Sequence, residues 1–309
     1  MAQLMRVAGI GIVRIVGLMA LAATLTACEA APPTLTIGSK NFTEQDLLGE
    51  LVARWIESTT DIEVERRLHL GGTFICHQAM LSGDIDMYVE YTGTALAAIL
   101  ELDEPRTPSG VLETVRREYG DRFGLVWTEP LGFENTFAIL VRASMADSLQ
   151  LSRLSQAAAH TPDWTPGFGF EFVERADGLP GLSAAYGIQF GAAPRVMDLG
   201  LTYRALAAGD VDLIAGNSTD GQIELLRLRM LEDDRSYFPP YFAAPLVRQD
   251  ALARFPELRA ALRDLGGRIS THEMRRLNAA VDVEGRDYRQ VAEEWVKHNA
   301  PIGNGGRNP

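Results

Sequence analysis

The sequence predicts an α/β protein with two lobes of similar build. Short apolar strands alternate with amphipathic helices at the spacing of βαβ units, a pattern that gives parallel strands with helices on the faces of the sheet. One helix-turn-strand segment recurs later in the chain at a constant offset. Two extended segments rich in aromatic residues bracket the second copy, as expected if the chain crosses between two lobes.

The first residues are typical of an export signal. Arg6 and Arg14 precede an apolar run that leads into Leu25-Thr26-Ala27-Cys28, and this run is too short for a permanent membrane span. A cysteine directly after a small residue resembles the bacterial lipobox. That resemblance implies removal of residues 1–27 and a lipid on Cys28, with an ordinary secreted protein as the alternative. The predicted location is therefore periplasmic or otherwise extracytoplasmic, at the membrane.

Charge and composition exclude several classes of function. The net charge of −12 argues against a nucleic-acid partner, whose phosphates need a basic surface. Cys28 and Cys76 are the two cysteines, so a lipidated Cys28 leaves one thiol and no disulfide. Cys76 is interpreted as a small buried apolar residue. The segment after His272 lacks the second histidine of a zinc helix, and neither a metal nor another cofactor is predicted.

The N-terminal part of the mature chain has the order expected of βαβ units. Thr43 with Asp46 three residues later is an acceptable capping pair for the first helix. The predicted elements, in order, are a strand at Leu35–Gly38, a helix at Thr43–Ser58, an alternating segment at Ile62–Leu68, a helix ending near Leu81 and a strand at Ile85–Val89.

The internal repeat indicates where a binding site belongs. His77–Tyr91 reads HQAMLSGDIDMYVEY, and Tyr203–Asn217, which lies 126 positions later, reads YRALAAGDVDLIAGN. Each copy is a helix closed by glycine, an acidic turn and a buried strand. Open α/β sheets bind ligands beyond the carboxyl ends of their strands, so Tyr91 and Asn217 should face a shared cleft. The alternative is that this pattern is only a common connection between helix and strand.

The two crossing segments divide the chain. Leu131–Val141 and Tyr237–Val247 are expected to run between the lobes, which assigns residues 28–133 and 241–309 to lobe 1 and residues 134–240 to lobe 2. Trp127 and Phe133, near the first crossing, are interpreted as core residues. The tail is predicted to be helical and to pack on lobe 1, with helices at Phe255–Leu265, Thr271–Val281 and Arg286–His298.

Five segments in register resemble one family over nearly the whole mature chain. They are Gly38–Gln45, Glu90–Thr94, Arg175–Leu182, Ser218–Gly221 and Phe238–Tyr241. Together they are similar to the glycine betaine/choline-type substrate-binding proteins of osmoprotectant ABC transporters. The resemblance implies a type II periplasmic-binding-protein fold, with a hinge between the lobes and the ligand at their interface. It also implies a monomer that works with a separate permease and catalyses no reaction.

The resemblance implies an aromatic cage formed by Tyr91, Phe137, Asn217 and Tyr241. A trimethylammonium group has no N–H to donate, but it is attracted to the negative faces of aromatic rings by about 0.5 to 2 kcal/mol per ring. Asn217 departs from the family pattern, in which an aromatic residue is usual at this position. Taken individually, each of these residues also has an ordinary interpretation as a packing residue.

The resemblance also implies contacts from Lys40, Thr94 and Arg175 to a ligand carboxylate. The planar fork of Arg175 can grip a carboxylate through two parallel hydrogen bonds, whereas Lys40 would add a point charge from the other lobe. On this basis glycine betaine fits best, because choline would leave Arg175 without a carboxylate partner. Both cations could instead be ordinary solvated charges.

Two other classes of function remain open at this stage. For an enzyme, the segment Gly216–Gly221 lacks the Gly-x-Ser-x-Gly spacing of a nucleophile turn, and Ser218 and Thr219 are expected to cap the following helix. A ligand-sensing domain that signals to a separate receptor would use the same fold. Within the binding-protein class, an amino acid such as proline or arginine is an alternative ligand if Asn217 accepts a hydrogen bond from a ligand N–H.

Overall fold

The computed structural model describes residues 33–300 with the exception of Pro105. The predicted signal peptide and Cys28 lie outside these residues. Within this part of the chain, ten strands form two five-stranded sheets. The strands are β1 Leu35–Lys40, β2 Val64–Gly71, β3 Met87–Tyr91, β4 Leu125–Trp127, β5 Phe137–Arg142, β6 Pro166–Phe168, β7 Arg195–Val196, β8 Leu213–Asn217, β9 Leu228–Met230 and β10 Ala243–Arg248.

Helices cover both sheets, and none of those described is long and apolar enough to cross a membrane. They are α1 Thr43–Thr59, α2 Thr73–Ser82, α3 Thr92–Thr94, α4 Pro108–Phe123, α5 Ala143–Leu149, α6 Leu154–Ala157, α7 Phe170–Glu174, α8 Leu179–Tyr186, α9 Leu199–Ala208, α10 Gln222–Leu225, α11 Gln249–Arg254, α12 Leu258–Leu265, α13 Thr271–Asp282 and α14 Tyr288–Asn299. A π-helical turn at Ala95–Ile99 continues α3, and a 3₁₀ turn spans Thr161–Asp163.

The two sheets have the same topology. The first has the order β2-β1-β3-β10-β4, and the second has the order β7-β6-β8-β5-β9. In each sheet the first three strands are parallel, and the next two are antiparallel to their neighbours. Parallel central strands with helical crossovers are the arrangement predicted from the βαβ spacing, so the α/β fold class is confirmed.

The repeat in the sequence is a repeat in the structure. Helix α2 ends at Gly83 with φ of 83°, and α9 ends at Gly209 with φ of 84°, a left-handed conformation that glycine adopts without a Cβ clash. Asp86 then accepts a hydrogen bond from Thr36 N, and Asp212 accepts one from Thr165 N, at 2.9 and 3.0 Å. Each acidic turn therefore fastens its strand to the neighbouring strand.

The two crossing segments pair with each other. Leu131 N donates to Ala243 O at 2.9 Å, Ala243 N to Phe133 O at 3.2 Å, and Asn135 N to Tyr241 O at 3.0 Å. One segment continues into β5 of the second sheet and the other into β10 of the first. A short antiparallel ribbon thus links the sheets.

The C-terminal helices cover the first sheet. Helix α14 packs on α1, where the rings of Trp55 and Trp295 lie 6.1 Å apart in the core. The predicted helix at Phe255–Leu265 begins only at Leu258, because Phe255 precedes Pro256 and leaves the helical conformation. Trp127 and Phe133 are core residues, at 3% and 1% exposure.

Two local predictions in the first half of the chain are wrong. The strand predicted at Ile85–Val89 runs from Met87 to Tyr91, because the backbone N–H groups of Asp84 and Ile85 still donate to Ala79 O of the preceding helix. The N-cap of α1 is Phe42 rather than Thr43. Thr43 donates instead to Asp282, and Asp46 accepts a hydrogen bond from Ser39.

Cys76 is buried in lobe 1, near the end of β1. Its Sγ lies 3.4 Å from Ser39 O, and burial raises the pKa of the thiol to about 12. A thiol with this pKa is almost entirely protonated at neutral pH and therefore a poor nucleophile. Cys76 is the only cysteine among the described residues.

Candidate ligand-binding cleft

A cavity of about 620 Å³ lies where the carboxyl ends of the central strands of both sheets meet. Lys40 and Tyr91 end β1 and β3, and Asn217 ends β8 directly opposite Phe137 of β5. Apolar walls come from both sheets, at Phe42, Phe74, Ile75, Phe137, Phe170 and Phe172. Carboxylates also line the cavity, at Asp46, Glu171, Glu174, Asp198, Asp220 and Asp282.

The seven predicted site residues fall into two groups. Phe137 and Asn217 line the cavity. The other five do not line it and are no more than 3% exposed; they are Lys40, Tyr91, Thr94, Arg175 and Tyr241. The structure therefore brings two predicted residues to the cavity surface and buries five of them.

The buried tyrosine behind Phe137 is held by close packing. The rings of Phe137 and Tyr241 lie 6.1 Å apart at 72°, an edge-to-face geometry. A Cβ on Gly93 would approach the Tyr241 ring to 2.8 Å, so this glycine lets the ring lie against the segment that carries Thr94. Tyr241 thus supports Phe137 from below and is fixed in position.

Cations of the protein already occupy one face of two predicted cage rings. The guanidinium carbon of Arg175 lies 5.2 Å from the centroid of the Phe137 ring. Lys40 Nζ lies 5.1 Å from the centroid of the Tyr91 ring. These distances lie within the range of cation–π attraction, so both rings stand in contact with positive charge.

Both cations are also paired with carboxylates. Lys40 Nζ is 2.6 Å from Glu90 Oε1, and their side chains are 3% and 0% exposed. Arg175 grips Asp177 through Nε to Oδ1 at 2.8 Å and Nη2 to Oδ2 at 2.5 Å. Burial opposes the charge on Arg175, but the pair with Asp177 raises its pKa above the ordinary value. The bidentate geometry predicted for a ligand carboxylate is therefore made by Asp177.

Glu171 connects the two lobes at the cavity. It extends from α7 of the second lobe, and its Oε1 accepts a hydrogen bond from Thr73 N at 2.7 Å, in the first turn of α2. Burial would raise the pKa of Glu171, but Lys40, Arg175 and the bonds from Thr73 lower it below the ordinary value. Glu171 is therefore ionised at neutral pH.

Glu44 is a buried hub for four segments of the chain. Its Oε1 accepts from Tyr91 Oη at 2.6 Å and Asn135 Nδ2 at 2.8 Å, and its Oε2 accepts from Thr219 Oγ1 at 2.5 Å and Asn278 Nδ2 at 2.7 Å. Burial raises the pKa of Glu44, although all four bonds oppose this shift. The donors come from lobe 1, the linking ribbon, lobe 2 and the C-terminal helices, so Glu44 fixes these parts around the base of the cleft.

Asn217 ends β8, and its side chain lies at the cavity wall. Its backbone N–H donates to Tyr203 Oη at 3.0 Å, whereas its side-chain Nδ2 is buried without a hydrogen-bond partner among the described residues. Asp220 accepts hydrogen bonds from Tyr203 and from Asn217 N. Burial, strengthened by the negative charges of Glu44 and Asp282, raises the pKa of Asp220 to about 7.

The prediction that Ser218 and Thr219 cap the next helix is wrong. Thr219 donates to Glu44, and Ser218 Oγ accepts from Thr136 N at 3.1 Å. The N-cap of α10 is Gly221. Thr219 therefore joins lobe 2 to Glu44 of lobe 1, whereas the bond of Ser218 lies within lobe 2.

Comparison with known proteins identifies the family. A family model described as the substrate-binding domain of the ABC-type glycine betaine transport system matches residues 33–298. The chain belongs to this family. The prediction from the sequence motifs is confirmed, and the partners of the protein are a small-molecule ligand and an ABC transporter.

Individual relatives cover most of the chain. It is 35% identical over 270 residues to a carnitine transport binding protein of Listeria monocytogenes, covering 86% of this chain and 87% of that protein. It is 33% identical over 298 residues to a glycine-betaine-binding protein of Pseudomonas aeruginosa, covering 93% and 94%. A solved structure described as a glycine betaine/carnitine/choline ABC transporter matches with a TM-score of 0.70 and 31% identity, over 85% of this chain and 98% of that one. The predicted periplasmic-binding-protein fold is confirmed.

Several residues of the cleft were missed by the sequence interpretation. Phe170, Glu171 and Phe172 line the cavity, and the rings of Phe172 and Phe137 lie 4.9 Å apart. Their signal in the sequence was the run Gly167-Phe168-Gly169-Phe170-Glu171-Phe172, which begins within the short strand β6 and continues past its carboxyl end. An aromatic run at the carboxyl end of a parallel strand is a candidate ligand contact.

Proposed function

We propose that this protein is an extracytoplasmic binding component that captures a quaternary-ammonium compound of the glycine betaine class and delivers it to the permease of an ABC transporter. In this proposal Cys28 carries a lipid that holds the monomeric protein at the membrane. Residues 28–133 and 241–309 form one lobe, residues 134–240 form the other, and the lobes close on the ligand.

One observation carries the proposal: aromatic rings border a cavity between the lobes whose charged walls are acidic. Phe137, backed by Tyr241, presents a ring to the cavity, and Phe172 stands beside it. No lysine or arginine lines the cavity in the part of the chain that the structure describes. Such a cavity attracts a cation that cannot donate a hydrogen bond, because ring faces and negative charge are what stabilise it.

The predicted residues take two roles in this proposal. Of the predicted cage residues Tyr91, Phe137 and Tyr241, Phe137 presents its ring to the methylated nitrogen, and the two buried tyrosines support the site from beneath the cavity wall. Asn217 leaves the cage open on one side. Lys40, Thr94 and Arg175, which are buried and do not line the cavity, support the site at the other end of the ligand. When the lobes close, this group of side chains encloses the ligand from both sides.

A second function uses the same ligand for signalling. A relative in Halobacterium salinarum, 24% identical over 284 residues, is described as a chemotactic signal transduction system substrate-binding protein. Pull-down of the purified protein with the ABC permease or with a receptor would separate transport from signalling.

Calorimetric titration of the purified mature protein tests the proposed ligand class. We expect binding of glycine betaine, choline or carnitine, and we expect choline to bind at least tenfold more tightly than ethanolamine, which has the same skeleton without the methyl groups. Recognition by hydrogen bonds would instead favour ethanolamine. Binding of proline or arginine without binding of any quaternary-ammonium compound would overturn the proposal.

A further inference from the structure

The charges around the predicted carboxylate contacts are already balanced by the protein itself. Lys40 is paired with Glu90 at 2.6 Å, and Arg175 is paired with Asp177 in a bidentate geometry. All four side chains are at most 12% exposed. A ligand carboxylate would have to compete with these internal partners, and breaking a buried ion pair is costly because it leaves a buried charge uncompensated.

Glu171 adds one more negative charge to the same region. Its carboxylate accepts the hydrogen bond from Thr73 N, where α2 has no side-chain cap of its own. A Cβ on Gly72 would lie only 3.3 Å from Glu171 Oε1, so the helix N-terminus and the carboxylate are in close contact across the cleft. The N-terminus of a helix attracts an anion, and in this protein the anion is the carboxylate of Glu171 from lobe 2.

The sum of charges at the base of the cleft is therefore negative before any ligand binds. Two cations, Lys40 and Arg175, are set against the carboxylates of Glu90, Asp177 and Glu171. The carboxylates of Glu174 and Asp198 on the cavity wall add to this field. A ligand carboxylate beside Glu171 would meet a like charge in a poorly solvated place, whereas a ligand with net positive charge would neutralise it.

We infer that the ligand is a quaternary-ammonium cation whose other end is an uncharged polar group, as in choline, and that Glu171 is the residue that excludes a ligand carboxylate. This inference rests on the proposed function. The carboxylate of Glu171 already links the two lobes through Thr73, as the carboxylate of a bound glycine betaine would do. Glu171, which lines the cavity, is then available to the uncharged end of the ligand.

Calorimetry of the wild-type protein with three matched ligands is the first test. Choline and the methyl ester of glycine betaine are cations, whereas glycine betaine carries a carboxylate at the same end. We expect the ester and choline each to bind at least tenfold more tightly than glycine betaine at pH 7.5. Equal or tighter binding of glycine betaine would overturn the inference while leaving the proposed function intact. Failure of all three, and of carnitine, would overturn the proposed function itself.

The variant Glu171→Gln is the second test. We expect it to reduce the preference for choline over glycine betaine at least tenfold, through stronger binding of glycine betaine and weaker binding of choline. The control is Asp234→Asn, which removes one negative charge from a carboxylate that accepts hydrogen bonds from Ser155 N and Oγ in the same lobe but lies exposed and away from the cavity. An unchanged ratio in Glu171→Gln would contradict the role of Glu171. If this variant does not fold, the comparison of the ester with glycine betaine decides alone.

Discussion

The two lobes share one arrangement of five strands, but their central strands end on different side chains. Strand β3 ends at Tyr91, which is 3% exposed and donates to Glu44. Strand β8 ends at Asn217, which lines the cavity and has an Nδ2 without a hydrogen-bond partner among the described residues. The same unit of helix, glycine, acidic turn and strand thus ends in a fixed ring in one lobe and in a small polar group in the other.

A carboxylate lies beside the end of each central strand. The one in lobe 1 is enclosed, whereas the one in lobe 2 faces the cavity. Glu44 of lobe 1 accepts four hydrogen bonds and is fully enclosed. Asp220 of lobe 2 is held by Tyr203 and Asn217 and also faces the cavity. Lobe 1 therefore provides a rigid base, whereas lobe 2 provides the side chains whose substitution can change ligand preference.

Removal of the Glu44 carboxylate should have the largest effect on stability. In Glu44→Ala, four buried donors lose their acceptor, and we expect the free energy of unfolding to fall by about 4 kcal/mol. Urea unfolding monitored by circular dichroism measures this. Glu57→Ala on the same helix is the control; Glu57 pairs with Arg66 near the surface, so its loss should cost less than about 1 kcal/mol. Similar losses in both variants would contradict the role of Glu44 as a hub.

Loss of the Phe137 ring should have the next largest effect, and it acts on binding. Phe137→Leu keeps an apolar side chain but removes the ring face, so we expect the dissociation constant for a quaternary-ammonium ligand to rise about tenfold, or about 1.4 kcal/mol. Phe123→Leu changes a ring that packs on Tyr119, away from the cleft, and should leave affinity unchanged. An unaltered dissociation constant in Phe137→Leu would count against the aromatic cage.

The acidic group of lobe 2 should make stability depend on pH. The folded-state pKa of Asp220 is about 7, above its ordinary value, so the folded protein holds this proton more tightly than the unfolded chain does. The resulting stabilisation is complete below about pH 4 and is lost as the pH rises through about 7. We therefore expect Asp220→Asn to show a smaller loss of stability than wild type between pH 5 and pH 8 in urea unfolding. Parallel pH profiles would contradict this assignment.

An aromatic residue introduced at position 217 tests the difference between the two strand ends directly. Asn217→Tyr places a ring opposite Phe137, at the edge of the cavity, and should tighten binding of a quaternary-ammonium ligand by about 1 kcal/mol, or about fivefold. Calorimetry gives the change. Asn217→Leu is the control, because it adds apolar volume without a ring face. An equal gain in both variants would assign the effect to apolar contact alone.

The two closing glycines should show the smallest difference, since both lobes use them identically. Gly83 and Gly209 have φ of 83° and 84°. Alanine at either position would cost about 1 kcal/mol from the left-handed conformation, and a Cβ meets nothing closer than 3.5 Å at Gly83 and nothing within 4 Å at Gly209. We expect the two losses in urea unfolding to agree within about 0.5 kcal/mol. A larger gap would show that the two repeats are not equivalent.

Features that depend on local sequence were predictable. The helix, glycine, acidic turn and strand of each repeat follow from periodicity and from glycine at a left-handed position. The same patterns place the ends of β1, β3 and β8 to within about two residues. For this reason the sequence alone assigns Tyr91 and Asn217 to the carboxyl ends of their strands.

Features that depend on contacts between distant residues were not predictable. Thr73 and Glu171 are 98 positions apart, and Glu44 is bonded to residues up to 234 positions away. No periodicity links such residues, because their contact arises only when the two sheets face each other. Arg175 and Asp177 are only two positions apart, but one amino-acid sequence does not show whether an arginine is paired or free.

The thiol at Cys76 has a practical consequence for measuring motion in this protein. Because this buried group is protonated at neutral pH, maleimide reagents will react with it slowly. A second cysteine introduced at the exposed Ile75 or Phe170, at opposite lips of the cavity, could then be labelled selectively with a fluorophore in a chain that begins after Cys28. Its emission would follow lobe closure in real time and turn the protein into an optical sensor for its own ligand.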